Sequence, residues 1–318
     1  MGTKLKLVFI EPIGVEKEEL FRFIGERLSD RLDIMYYDTR VEDSKTLIER
    51  GRDADIIAVS NLPLNREVLN GCPKLKMLAV AFTGVDHIAM DVCRERKITV
   101  CNCAGYSDAA VSDLVFGLII NIYRNIIVLN QVVREEGTKN GYIGFELEGK
   151  KFGVIGTGAI GTRVAKLAAA FGCEVYAWSR TEKELADVTY VDFDTLLKTC
   201  DIISLHVPLN ETTRGLIGKD QLKLMKNSAI LINTARGPIV DSEALKEALN
   251  EGDIAAAGVD VFEVEPPVIK THPLFEAKNL VATPHVAFAT KEALVKRAQI
   301  LLDNIDSWLD KSPKNIMM

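Results

Sequence analysis

Short runs rich in valine and isoleucine recur from one end of the chain to the other, each separated from the next by a segment of helical character. That alternation leaves few folds open. A run that is apolar without a break gives a strand buried on both faces, and parallel sheets covered by helices are where such strands occur. In the first third the runs fall at residues 6–10, 34–37, 55–60, 77–81 and 99–101; later ones fall at 152–156, 174–178, 202–206, 229–233, 256–261 and 280–282. Two sets of about five or six strands fit two sheets better than one. The pattern therefore predicts an α/β protein with two doubly wound parallel-sheet domains. A chain of 318 residues is long enough for two cores, and 47% hydrophobic with 26% charged residues is a globular balance. No repeat of solenoid period and no low-complexity segment interrupts it.

Charge and cysteine usage narrow the functional classes. The formal net charge is −6 and no basic cluster of the kind nucleic acid requires is present, so no nucleic-acid partner is expected. The cysteines are Cys72, Cys93, Cys101, Cys103, Cys173 and Cys200. Only Cys101 and Cys103 are close in sequence, and a lone pair one residue apart lacks the spacing of a chelate or a disulfide framework. Small buried thiols in a reducing compartment are expected, with no metal site. Met1-Gly2-Thr3-Lys4-Leu5 runs straight into a strand-like segment, so no signal peptide is expected. The longest apolar stretch, 111–122, is broken by Asp113 and too short to span a bilayer. A cytoplasmic protein without a membrane partner is the expectation. Residues 107–130 read as one long helix, apolar on nearly every side, which requires burial all round in a core or under another subunit. It opens a domain rather than sitting between strands, so burial by a second subunit stays open beside burial in a core. The pattern breaks near 102–106, where the domain boundary is expected. The final helix, about 290–309, is amphipathic, and its pattern does not say which sheet it covers.

The sharpest motif is Gly156-Thr157-Gly158-Ala159-Ile160-Gly161. Alone it is weak evidence, but a buried strand precedes it and a helix follows. Gly156 then permits the tight turn, Gly158 lets a pyrophosphate approach the backbone, and Gly161 lets helix and strand pack closely. The free N–H groups and partial positive charge of the helix start suit phosphates. The next strand ends at Ser179-Arg180, where an NAD-specific site wants a carboxylate for the ribose hydroxyls. A hydroxyl beside a guanidinium attracts the 2′-phosphate that a carboxylate repels, so NADP is the expected coenzyme before NAD. Stacking of Arg180 on the adenine, or plain exposure, is the alternative.

Three later segments carry an ionisable residue at or just past a strand end, where open α/β sheets place their chemistry. They hold Arg236, Glu265 and His285. Hydride transfer to a 2-oxo acid needs a cation for the carboxylate and carbonyl and an acid for the developing alkoxide. Arg236 suits the first task and His285 the second, with a carboxylate such as Glu265 favouring and orienting the protonated imidazole. Each alone also fits a structural role; the joint placement after a dinucleotide motif carries the reading.

With these residues in view, the chain resembles the D-isomer-specific 2-hydroxyacid dehydrogenase family, most of all its glyoxylate/hydroxypyruvate reductase and glycerate dehydrogenase branch. The likeness runs over about 55–288. It includes Leu147-Glu148-Gly149-Lys150 ahead of the glycine motif, His206-Val207-Pro208-Leu209 with Thr212-Thr213-Arg214-Gly215-Leu216-Ile217, and Asn233-Thr234-Ala235-Arg236-Gly237. It implies an NAD(P)-dependent D-2-hydroxyacid dehydrogenase in which His285 is the general acid/base, Glu265 its charge partner and Arg236 the substrate clamp. It implies that main-chain N–H groups of Thr83 and Gly84 face the substrate acid, and that Ser60-Asn61-Leu62-Pro63 covers the substrate. His206, Val207, Pro208, Thr234, Ala235 and Asp260 would border the coenzyme, Asp260 at the nicotinamide carboxamide. A Rossmann coenzyme domain (102–286) would be inserted into a flavodoxin-like substrate domain (1–101 and 287–318), with a dimer through the former. Phe288 stands where the family commonly has a small residue, which predicts a short substrate. A non-enzymatic dinucleotide-sensing scaffold of the same fold is the rival reading. A formate-type enzyme has no alkoxide to protonate and no use for Glu265, and an L-type lactate or malate dehydrogenase would carry its glycine motif near the first strand.

Overall fold

The computed structural model describes residues 4–317. Backbone contacts divide the chain into two units, the division falling after Ser107 and again after Phe288. In the first unit the strands are β1 (Leu5–Phe9), β2 (Leu32–Tyr36), β3 (Ile56–Val59), β4 (Met77–Val80) and β5 (Thr99–Cys101). All pair in parallel, in the order β2-β1-β3-β4-β5. β3 and β4 are buried at every residue, whereas the edge strand β2 alternates, as unbroken and broken apolar runs require. The C-terminal helix Lys291–Leu309 packs on β4 and against the helix Lys17–Ser29, so it covers the first sheet.

The expected boundary between residues 101 and 102 lies six residues too early, because the segment 102–107 is tied to that same helix. Asn304 Nδ2 donates to the Asn102 carbonyl at 2.7 Å, and Lys296 Nζ to that of Gly105 at 2.6 Å. At the far end the division falls after Phe288 instead of after residue 286. Ala287 N–H donates to Asp260 Oδ2 at 2.9 Å and stays with the second unit.

The second unit holds β6 (Lys151–Ile155), β7 (Glu174–Trp178), β8 (Val188–Tyr190), β9 (Ile202–Leu205), β10 (Ile230–Asn233), β11 (Ala256–Val259) and β12 (Leu280–Ala282). They form a seven-stranded parallel sheet, β12-β11-β10-β9-β6-β7-β8. β8 is absent from the apolar runs read above. The single long helix expected over 107–130 is two helices, Asp108–Arg124 and Ile126–Arg134, bent by 53°. The break is at Asn125, whose φ of 52° is a left-handed conformation that asparagine tolerates. The first piece buries Val115, Phe116, Leu118, Ile119 and Tyr123, and the Phe116 ring stacks on Phe152 of β6. The second piece has no buried residue. No single described helix is long and apolar enough to cross a membrane. All six cysteines are free and buried, and burial pushes the Cys103 thiol up to about 12.

Candidate functional site

Strand order locates the site in the second unit. The chain runs outward from β6 through β7 to β8, then returns to lay β9, β10, β11 and β12 on the other side of β6. The reversal between β6 and β9 is a topological switch point, and the crevice beyond the carboxyl ends of these strands is where open α/β sheets bind ligands. The glycine turn follows β6, and His206-Val207-Pro208 follows β9, so the two segments flank that crevice. Gly156 has a φ of +95°, and a Cβ there would lie 2.6 Å from the His206 carbonyl oxygen. At Gly161 a Cβ would lie 1.9 Å from the Gly156 carbonyl oxygen, so helix 159–170 can approach the turn only with glycine there. Nothing stands within 4 Å of the corresponding position at Gly158, which leaves that backbone open to a phosphate. The turn therefore fits a dinucleotide, with the N–H groups of Ala159 and Ile160 at the helix start. The His206 ring hydrogen-bonds Ser204 Oγ at 2.8 Å, and burial pushes it down to about 3, so it stays neutral beside the turn.

Ser179 and Arg180 close β7, the strand next to β6, with Ser179 half-buried and Arg180 exposed. Beyond them the strand that sequence reading missed contributes Tyr190. Its hydroxyl donates to Thr157 Oγ1 in the glycine turn at 3.0 Å and accepts from the Lys183 N–H at 3.1 Å.

The other half of the carboxyl edge carries the ionisable set. After β10 the chain turns sharply, held by the buried Asn233: its Oδ1 accepts from Ala235 N at 3.1 Å and its Nδ2 donates to the Arg236 carbonyl at 3.0 Å. The Thr234 hydroxyl on this turn is buried without a hydrogen-bond partner, a polar group suited to a bound ligand such as the coenzyme's nicotinamide end. Gly237 packs so tightly on the segment after β11 that a Cβ would lie 2.1 Å from the carbonyl carbon of Phe262. That close approach sets the Arg236 turn beside the segment bearing Glu265. Glu265 Oε2 accepts from Phe262 N at 3.0 Å, and Oε1 pairs with His285 Nδ1. Asp260, fully buried, fixes the His285 turn: its carboxylate accepts from Thr283 Oγ1, from Val286 N and from Ala287 N, and its carbonyl from His285 N at 2.7 Å. Burial pushes the Asp260 carboxyl up, against the opposing pull of those donors. The turn holds His285 at a φ of 52°, and the Phe288 ring meets the imidazole edge-to-face at 5.6 Å. The second unit thus brings Glu265 and His285 into direct contact and places Arg236 at the neighbouring strand end. Ser179 and Arg180 lie three strands from β10, about 14 Å away by strand spacing.

Thr83, Gly84 and Asn61 lie in the first unit, after β4 and β3, at the carboxyl edge of its own sheet. Asn102 Nδ2 donates to the Thr83 carbonyl at 2.7 Å. The Ser60–Leu62 loop is held by Glu11, which the sequence did not single out. Its buried carboxylate accepts from Ser60 N at 2.8 Å and Leu62 N at 3.1 Å. Arg40 Nη1 bridges Glu11 and Asn61 Oδ1, each at 2.7 Å. These residues sit at the β1/β3 reversal of the 2-1-3-4-5 order, the switch point of that sheet.

Comparison with known proteins identifies the family. The family model described as "D-isomer specific 2-hydroxyacid dehydrogenase, NAD binding domain" matches residues 116–287. A glyoxylate reductase of Thermococcus litoralis is 39% identical over 284 residues, 85% of each chain. A hydroxypyruvate reductase of Blautia hydrogenotrophica is 35% identical over 89% of this chain and 91% of that one. A glycerate dehydrogenase of Methylorubrum extorquens is 39% identical over 85% and 88%. Among solved structures, an acyclic imino acid reductase in complex with NADPH and D-Arg superposes with a TM-score of 0.90 at 30% identity, over 99% of this chain and 100% of that one. A D-lactate dehydrogenase of Aquifex aeolicus complexed with NAD and lactic acid superposes with a TM-score of 0.84 at 30% identity, over 96% of both. With its Rossmann-type sheet and this likeness along most of its length, the chain belongs to the D-isomer specific 2-hydroxyacid dehydrogenase family, in the glyoxylate reductase, hydroxypyruvate reductase and glycerate dehydrogenase branch, and is an NAD(P)-dependent oxidoreductase.

Proposed function

We propose that the protein reduces a short 2-oxo acid of the glyoxylate or hydroxypyruvate class to the D-2-hydroxy acid, with NADPH preferred over NADH. The bound coenzyme supplies the hydride that reaches the 2-carbon. His285 supplies the proton: with Nδ1 engaged by Glu265, Nε2 is the atom that gives a proton to the developing alkoxide and regains it in the reverse direction. Glu265 fixes the ring orientation and stabilises the imidazolium. Arg236 pairs with the substrate carboxylate and polarises the carbonyl, a task for a planar guanidinium. In the first unit, Thr83, Gly84 and Asn61 are the substrate-binding candidates. Thr234 and Asp260 meet the nicotinamide end. Gly156, Thr157, Gly158, Ala159, Ile160 and Gly161 cradle the pyrophosphate, bordered by His206, Val207, Pro208 and Ala235, with Ser179 and Arg180 at the 2′-phosphate. The Phe288 ring, edge-to-face with His285, supports a substrate side chain no larger than methyl or hydroxymethyl. The active form is a homodimer through the second unit.

The observation that carries this reading is the Glu265–His285 pair at adjacent strand ends, one strand from Arg236. Its test is His285→Gln. The variant is expected to lose at least about a hundredfold in kcat for glyoxylate while its Kd for NADPH stays within about twofold. Wild-type kcat in that variant would remove His285 from the reaction.

A further inference from the structure

The strand absent from the apolar runs, β8, ends in a residue with more hydrogen bonds than packing requires. Tyr190 pairs with Ala177 across the β7–β8 ladder, so its ring reaches the same carboxyl edge as the glycine turn after β6 and Ser179 after β7. The phenol uses both of its capacities there. It donates to Thr157 Oγ1 and accepts from the Lys183 main chain. Thr157 is 2% exposed, and its carbonyl also accepts from Thr162 Oγ1 at 3.2 Å, so the glycine turn is held from a second direction. The segment 180–184 is different. Every residue in it is exposed, it has no regular structure, and it carries Arg180, Thr181 and Lys183 just beyond the half-buried Ser179. The Lys183–Tyr190 bond reaches from the middle of that segment back to the glycine turn.

We propose that Tyr190 is a positioning residue for coenzyme selectivity: its hydroxyl sets the 180–184 segment against the glycine turn and so shapes the 2′-phosphate pocket formed by Ser179, Arg180 and Thr181. The inference rests on the NADPH preference proposed above and adds a residue that touches neither the nicotinamide nor the reacting atoms. Pyrophosphate binding depends on the glycine turn, which keeps its Thr162 tie when the phenol is removed. Binding of a 2′-phosphate depends on where the exposed segment sits, and that placement loses its link to the turn.

The test uses fragments without nicotinamide, so that catalysis plays no part. Kd values for 2′,5′-ADP and for 5′-AMP, which differs from it only in lacking the 2′-phosphate, are measured by calorimetry on the intact wild type and on Tyr190→Phe, which keeps the ring and removes the hydroxyl. Loss of a single hydrogen bond predicts that 2′,5′-ADP binds about three- to tenfold more weakly to the variant, while 5′-AMP changes by less than about twofold. Equal weakening of both ligands overturns the proposal, because Tyr190 would then serve the shared phosphate turn alone. No change in either also overturns it. A wild type without preference for 2′,5′-ADP overturns the NADPH reading and this inference together. A wild-type preference that persists undiminished in Tyr190→Phe overturns the inference and leaves that reading standing.

Discussion

Asp260 is the side chain on which the placement of His285 depends most directly. It is fully buried, and its two oxygens take different donors: Oδ1 serves Thr283 Oγ1 and Val286 N, Oδ2 serves Ala287 N. An amide in its place has one acceptor oxygen and one NH₂, so one main-chain N–H would face a donor. A buried N–H left unpaired costs about 1–3 kcal/mol, and here that cost can be relieved by releasing a turn already held at positive φ. Asp260→Asn is therefore expected to lower kcat at least about tenfold, with the melting temperature also reduced. A variant with wild-type kcat would show that the His285 turn does not need this clamp. The positions of Arg236, Glu265 and His285 at strand ends are legible in the sequence, because each follows an apolar run. The clamp is not. Its partners are main-chain N–H groups 26 and 27 residues downstream, which no side-chain spacing records. Glu11 is hidden for the same reason: its partners are the N–H groups of Ser60 and Leu62.

The two sheets repeat one device at the entry to a central strand. Asp55, just before β3, accepts from Lys6 N of β1 at 2.9 Å and pairs with Lys76 Nζ at 2.8 Å. Asp201, just before β9, accepts from Lys151 N of β6 at 2.9 Å and pairs with Lys226 Nζ at 2.8 Å. Each carboxylate thus ties the start of its own strand to that of a neighbour and to a lysine ahead of the next strand in the sheet. At Asp201 burial raises the pKa, but Lys226 and the Lys151 N–H together outweigh it, and the net shift is downward. A depressed native pKa contributes stability that is full above the unfolded value and is lost as pH falls through the native one. Asp201→Asn should accordingly be about 1–3 kcal/mol less stable than wild type in urea at pH 7, with the gap narrowing steadily below the ordinary aspartate value of 3.8. A gap that stays constant on acidification would assign the loss to packing instead. Strands such as β3 and β9 are legible because each opens on Ile-Ile within a largely apolar run, which has few other readings. β8 is three residues long, Val-Thr-Tyr, and follows a charged segment, so no run marks it. The break at Asn125 is masked because apolar residues continue on both sides of it.

At the scale of the whole molecule the unresolved term is the helix Ile126–Arg134. Nine residues are too few to hold a helix in water by propensity alone, yet this one buries none of its side chains. Ile127 is 62% exposed and Val133 66%, and Ile143 and Phe145 on the following segment are 76% and 60% exposed. Large apolar side chains this exposed, close together along the chain, suit an interaction surface. Reading residues 107–130 as apolar on all sides combined two causes that the fold separates: Asp108–Arg124 lies in the core of its own unit, while Ile126–Arg134 awaits a cover. A second copy of the chain is the cover that needs no further component, since a two-fold axis brings the same apolar stretch against itself. The protein should therefore sediment at twice 35.1 kDa at micromolar concentration. Ile127→Asp combined with Val133→Asp should shift it to the mass of one chain, because two buried unpaired carboxylates per subunit cannot be accommodated in an apolar interface. The fold should survive, since neither side chain belongs to the core, and an unchanged circular-dichroism spectrum would establish that. A wild type that sediments as one chain, or a double variant that remains at twice the mass, would rule out this surface as the subunit interface.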